Sequence, residues 1–147
     1  MQQGKLSELL PVVGVIVPAT VANTEVFSSV VDMGANSQAM AVLTLGNMAS
    51  ETIDFKCYYC DSDGSNAVAL TGRAATQLAA NASNNDSKQV VINVRDTDLT
   101  ASGKQYIKFG LVTGGATGGP AGVVVLGRPR QGLASAADLS SVLEIVG

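Results

Sequence analysis

Cys57-Tyr58-Tyr59-Cys60 has the residue types and spacing of a reactive motif, either the C-x-x-C of redox proteins or half of a zinc site. Redox chemistry normally places such a pair at a helix N-terminus, which lowers the thiol pKa. Here Cys60 is followed by Asp61-Ser62-Asp63-Gly64, a turn signal. Zinc needs four ligands, and the chain has two Cys and no His. The stretch Ile53-Asp54-Phe55-Lys56-Cys57-Tyr58-Tyr59 alternates like a strand. Residues three apart on a strand point to opposite faces, so the two sulfurs diverge. The expectation is a buried Cys57, an incidental Cys60, no disulfide between them and no metal.

The other candidate motifs are incomplete. Asp61-Ser62-Asp63-Gly64 starts like a calcium loop, but its glycine comes too early and Leu70 stands where the bidentate Glu is needed. Gly114-Gly115-Ala116-Thr117-Gly118-Gly119-Pro120 has the glycine content of a phosphate loop without its lysine or its following helix. Without histidine, Ser/His/Asp and Cys/His catalysis is impossible. Paired carboxylates could hydrolyse glycosides, yet Asp54, Asp96 and Asp98 have no aromatic platform nearby and there is no Trp. The chain reads as no enzyme, with no cofactor.

What remains is material for building surfaces. Hydrophobic residues make up 46% of the 147 residues, which favours a folded domain. Charged residues make up only 14%, against roughly 25% in ordinary globular chains. Depletion of charge is typical of interface centres. Net charge is −3 and the nine basic residues are scattered, which argues against nucleic acid. No apolar run approaches the ~20 residues of a membrane span. Lys5 followed by apolar residues 9–17 imitates a secretory signal, but Glu8, Pro11 and Pro18 argue against one.

The elements that must position these residues are strands. After a short polar segment (1–11), an arm or a brief turn of helix, residues 12–17 form an apolar strand that Pro18 ends or confines to an edge. One strand is expected over 25–33. Residues 39–45, apolar on both faces, suggest a central strand. Over 52–60, Ile53, Phe55, Cys57 and Tyr59 face inward, while Asp54, Lys56 and Tyr58 face water. A turn over 61–66 leads to a short strand over 67–70 and a loop over 76–87. Residues 88–95 place Val90, Ile92 and Val94 on one face, and 96–99 make a tight connection. Residues 104–113 turn Ile107, Phe109 and Leu111 inward. Residues 114–119 read as a hairpin loop, and 121–126 as the last strong strand. Seven or eight strands joined by turn clusters point to an all-β fold, an antiparallel β-sandwich or jelly roll.

The organisation expected is an arm (1–11), a sandwich body (12–127) and a tail (128–147). Gly127-Arg128-Pro129-Arg130 is expected to end the sheet. Ser135 and Asp138 stand at capping-box spacing. Leu139, Val142, Leu143 and Val146 follow at i, i+3, i+4 and i+7, an amphipathic helix of about three turns. So short a helix must pack on something, either its own sandwich or a neighbouring subunit. The candidate interface is Leu6, Leu9 and Leu10 in the arm, Arg128 and Arg130 at the end of the sheet, and Leu139, Val142, Leu143 and Val146 in the tail.

Four patterns in order give residues 29–147 a resemblance to a known group. They are Ile53 to Cys60 running into Asp61-Ser62-Asp63-Gly64-Ser65; Ala75-Thr76-Gln77-Leu78 with Asn85-Asp86-Ser87-Lys88-Gln89-Val90-Val91-Ile92-Asn93-Val94-Arg95; Tyr106-Ile107-Lys108 leading into residues 121–127; and Arg128-Pro129-Arg130 followed by Asp138-Leu139-Ser140-Ser141-Val142-Leu143-Glu144-Ile145-Val146. Together they resemble small structural proteins of tailed bacteriophages, particularly capsid cement or decoration proteins. Cys57, Tyr59 and Cys60 depart from the pattern. The resemblance implies a jelly-roll-like body on the outer surface of the capsid, made in the host cytoplasm. Its partner would be the major capsid protein; low charge, the arm and the amphipathic tail add the expectation that the chain also binds itself, as homodimer or homotrimer. It does not separate cement from neck or tail-surface proteins. A small β-sandwich module binding carbohydrate or a host ligand is the alternative, although three Tyr and three Phe offer little for sugar stacking.

Overall fold

Alternating runs dominate the chain, and nine strands form among the residues that a computed structural model describes: 5–48, 51–78, 87–115, 119–131 and 141–144. A four-residue helix α1 (Leu6–Leu9) precedes β1 (Val12–Val21), β2 (Glu25–Phe27), β3 (Val31–Asp32), β4 (Asn36–Leu45) and β5 (Thr52–Cys60). Then come β6 (Val68–Ala74), β7 (Gln89–Arg95), a 3-10 turn (Asp96–Leu99), β8 (Tyr106–Gly114) and β9 (Gly119–Pro129). All pairings are antiparallel. One sheet has the order β1-β9-β4-β7 and the other β2-β8-β5-β6, with β3 also on β8.

This is the wiring of a double-sheet jelly roll, with β2 and β3 as one interrupted strand. Apart from β2 to β3, only β5 and β6 are consecutive strands in the same sheet; every other connection crosses the sandwich. The expected hairpin over 114–119 is therefore corrected: β8 and β9 lie in different sheets, and the glycine-rich stretch joins them across the sandwich.

Three strand boundaries also differ. The single strand expected over 25–33 splits at Ser28. Its N–H still donates to the Phe109 carbonyl, but its hydroxyl accepts the Phe109 N–H at 3.0 Å and donates to the Ser29 carbonyl, so a side chain takes over the ladder. The short strand over 67–70 continues to Ala74. The last strand runs on past Gly127, pairing Arg128 with Gln38 and Pro129 with Asn36. A proline is tolerated there because it closes the strand. In β1, Pro18 sits at a register shift between Ile16 and Ala19 on an edge strand, as its missing N–H requires.

The core lies between the two inner faces. Ala39, Ala41 and Leu43 of β4, Val123 and Val125 of β9, and Ile92 and Val94 of β7 meet Ile53, Phe55 and Cys57 of β5 and Ile107, Phe109 and Leu111 of β8. The Phe55 and Phe109 rings stack at its centre, centroids 5.9 Å apart. Burying each such side chain contributes about 1.5–3 kcal/mol. As its composition suggests, β4 is central, between β9 and β7. The amphipathic helix expected in the tail is corrected where it can be seen: only residues 141–144 fall among those described, and Val142, Leu143 and Glu144 are not helical.

Candidate interaction surface

In a two-layer sandwich each sheet has one buried face, so apolar residues at the outward parity are left to solvent or to a partner. The sheet β1-β9-β4-β7 carries many of them. Its register lines up Val15, Val124, Val42 and Val91, one from each strand, in a single outward row. Val124 is 43% and Val91 51% exposed; Val15 and Val42 are half-buried. The next row is Val12, Leu126, Met40 and Asn93, and on the other side Gly122, Thr44 and Gln89. No charged residue interrupts these three rows. An apolar hollow of about 510 Å3 opens beside them, lined by Val15, Pro18, Thr44, Pro120 and Val124 among others.

On the outward parity of the described strands, charge appears at the rim where Arg95 and Arg128 flank Gln38. Two inter-strand steps put them about 10 Å apart. Among the described residues no carboxylate pairs with either guanidinium.

The outward face of β2-β8-β5-β6 is built differently. The Tyr58 hydroxyl donates to Glu25 Oε1 at 2.5 Å, and the Tyr58 ring meets Phe27 edge-on at 5.6 Å. Lys108 Nζ lies 3.9 Å over the Phe27 ring and donates to the Gly64 carbonyl. Gly110 sits beneath this cluster; a Cβ there would come within 2.5 Å of Glu25 Oε1 and 2.8 Å of the Tyr58 ring. Burial and the bond to Glu25 push the Tyr58 phenol above its ordinary range. Gln77 donates to Asp54, and Lys104 pairs with Asp61. Glu25, Tyr58, Asp54 and Lys108 on this face thus each have a partner within the chain.

The sequence-predicted interface residues are only partly brought together. Leu10 and Arg128 line one hollow of about 330 Å3 with Met40 and Leu126, so the arm reaches the edge of the apolar rows. Leu6 is 71% exposed and Leu9 half-buried. Arg130 is held within the chain by Asp96 and the Met33 carbonyl. Val142 is half-buried and Leu143 fully exposed, while Leu139 and Val146 lie outside the described residues. Sequence reasoning missed the valine row, whose members belong to four separate runs.

The chemical candidates are each accounted for. Cys57 and Cys60 are both free and buried, and burial is the main force raising both thiol pKa values, which makes them poor nucleophiles. The Asp61 turn closes on itself, with Gly64 at φ +82° and Asn66 and Lys104 holding the Asp61 carboxylate below its usual range. Asp98 holds Arg73 through two bonds, Asp96 holds Arg130, and Asp54 accepts from Gln77. No three His, Cys, Asp or Glu residues converge on a cation position among the described residues.

No family model matches this sequence, and no curated protein does. Among solved structures, one described as the structure of infectious bursal disease virus Gx strain is similar over 82% of this chain and 31% of that one, at 10% identity and a TM-score of 0.40. The chain thus spans under a third of that neighbour's length.

Proposed function

We propose that this chain is a structural virion protein of a tailed phage. It binds the outside of the capsid shell as a cement or decoration subunit, through the outward face of β1-β9-β4-β7. The observation that carries this reading is the uncharged row Val15, Val124, Val42 and Val91, unbroken across a whole sheet. A contiguous apolar surface on a soluble domain marks a docking site, and interface centres are poor in charge. The resemblance to decoration proteins supplies the partner class, a major capsid protein. Leu6 and Leu143 give the terminal segments apolar side chains suited to clasping a neighbour. The role is structural rather than enzymatic.

The carbohydrate-module alternative has less support. Its best platform would be Phe27 and Tyr58, but Lys108 covers one ring and Glu25 ties the other.

Co-sedimentation of the purified chain with undecorated shells of the parent particle is the test. Wild-type protein pellets with shells to saturation, and Val124→Glu stays in the supernatant. Binding to isolated tails but not to shells would move the protein to the neck or tail, and equal binding of both forms would remove this face from the interface.

A further inference from the structure

The two sheets have four edges, and three of them are blunted. Pro18 and two register shifts break β1. The line of β2 and β3 is interrupted between Phe27 and Val31. A register shift opposite Lys56 and Tyr58, with Gly72 at φ +75°, bends β6. Such devices keep sheet edges from pairing with other chains. The fourth edge, β7, has none of them. Among the described residues, Gln89-Val90-Val91-Ile92-Asn93-Val94-Arg95 pairs with β4 alone, in unbroken register from Thr44–Gln89 to Gln38–Arg95, without proline, glycine or bulge. A hollow of about 450 Å3 lies along it, walled on the far side by residues 72–75.

The ladder identifies which groups this edge offers. Leu45 N–H donates to the Lys88 carbonyl, so Lys88, Val90, Ile92 and Val94 are the residues bonded to β4. Gln89, Val91, Asn93 and Arg95 turn their backbone groups outward. The Arg95 N–H agrees with this, since it is capped by the Asp98 carboxylate at 2.8 Å. Among the described residues nothing takes up the outward N–H and C=O of Val91 and Asn93.

We propose that β7 is a homodimerisation edge, pairing antiparallel with β7 of a second copy about a two-fold axis at Ile92. The strand is self-complementary in that register. Val91 bonds to Asn93 of the second copy and Asn93 to its Val91, the outward-bonding residues meeting each other as the antiparallel ladder requires. Gln89 then faces the second copy's Arg95, so no like charges oppose. Ile92 meets Ile92, and the row Val15, Val124, Val42, Val91 continues into Asn93, Met40, Leu126 and Val12 of the second copy. One eight-stranded sheet results, with a joint apolar face twice as wide. This pairing stands on the strand edge and holds whatever that face docks on.

Sedimentation equilibrium on the full chain tests it, with Val91→Pro and Asn93→Pro as variants. Both N–H groups point away from β4, so neither proline removes a bond of the existing ladder. The wild-type chain sediments at twice its own mass at micromolar concentration, and each proline variant weakens the dimer by about tenfold or more. A double variant, Val91→Cys with Asn93→Cys, serves as a second measurement that needs no proline to fold. These positions face each other at about 5.5 Å between Cα atoms, within disulfide range, and oxidation yields a covalent dimer. A strict monomer, a trimer, or a dimer that survives both prolines and does not cross-link would overturn the proposal.

Discussion

The two outward faces of this jelly roll follow the same alternation and end in opposite states. On β2-β8-β5-β6, Tyr58 is bonded to Glu25, Lys108 covers Phe27, and Gln77 donates to Asp54. On β1-β9-β4-β7, the outward positions hold Val15, Val42, Val124, Met40 and Leu126, which have no polar group to satisfy. A polar face can complete itself within one chain. An apolar one is completed only by another molecule. Under the proposed function, that difference separates the face that is finished from the face that docks.

A charge placed in the valine row should break that contrast most severely. Val124→Glu would bury an unpaired carboxylate against the shell, at a cost of about 3–5 kcal/mol, so binding falls by roughly a hundredfold or more. Being outward, the change moves folding stability by only about 0.5 kcal/mol. Lys56→Glu on the opposite face leaves shell binding unchanged. Co-sedimentation together with thermal melts measures both halves.

Tyr58→Phe gives the converse. Removing the hydroxyl costs about 1 kcal/mol of stability, a drop of about 3 °C in Tm for a chain of this size, and leaves shell binding unchanged. If binding fell with it, the polar face would belong to the interface.

Acid sharpens the same distinction. Hydrogen bonds from Asn66 and Lys104 lower the Asp61 pKa, and the hydrogen bond from Arg130 lowers that of Asp96. A carboxylate with a folded-state pKa below its unfolded value stabilises fully above the ordinary carboxylate range, and that contribution is lost as pH falls toward the folded value. Tm should therefore decline on acidification below that range, and Asp61→Asn should flatten the decline. Melting curves across a pH series measure it. The smallest effect is expected at the rim: Arg128→Ala weakens shell binding about threefold and reduces its salt dependence.

Strict alternation made β5, β7 and β8 legible, because each has one wet face and one dry face. The segment after Phe27 was not, since a serine hydroxyl replaces a backbone group there. Nor was the 114–119 connection, because glycine content says nothing about which sheet the chain enters next. The valine row was hidden for a related reason. Positions 15, 42, 91 and 124 become neighbours only through the order β1-β9-β4-β7. A signal was nonetheless present. Residues 12–17, 39–45 and 121–126 are apolar at both parities, and a two-layer sandwich buries only one of them. The terminal candidates divide: Leu10 and Arg128 border the apolar face, while Arg130 is taken up by Asp96.

Hydroxyl-radical footprinting of the chain, free and bound to shells, tests the central claim most directly. Met40 and Leu126 report on the apolar face, and Tyr58 and Phe27 on the polar one. Docking through β1-β9-β4-β7 predicts strong protection of Met40 and Leu126 on binding, with Tyr58 and Phe27 oxidised as in the free chain. Protection of Tyr58 and Phe27 with Met40 still reactive would contradict it.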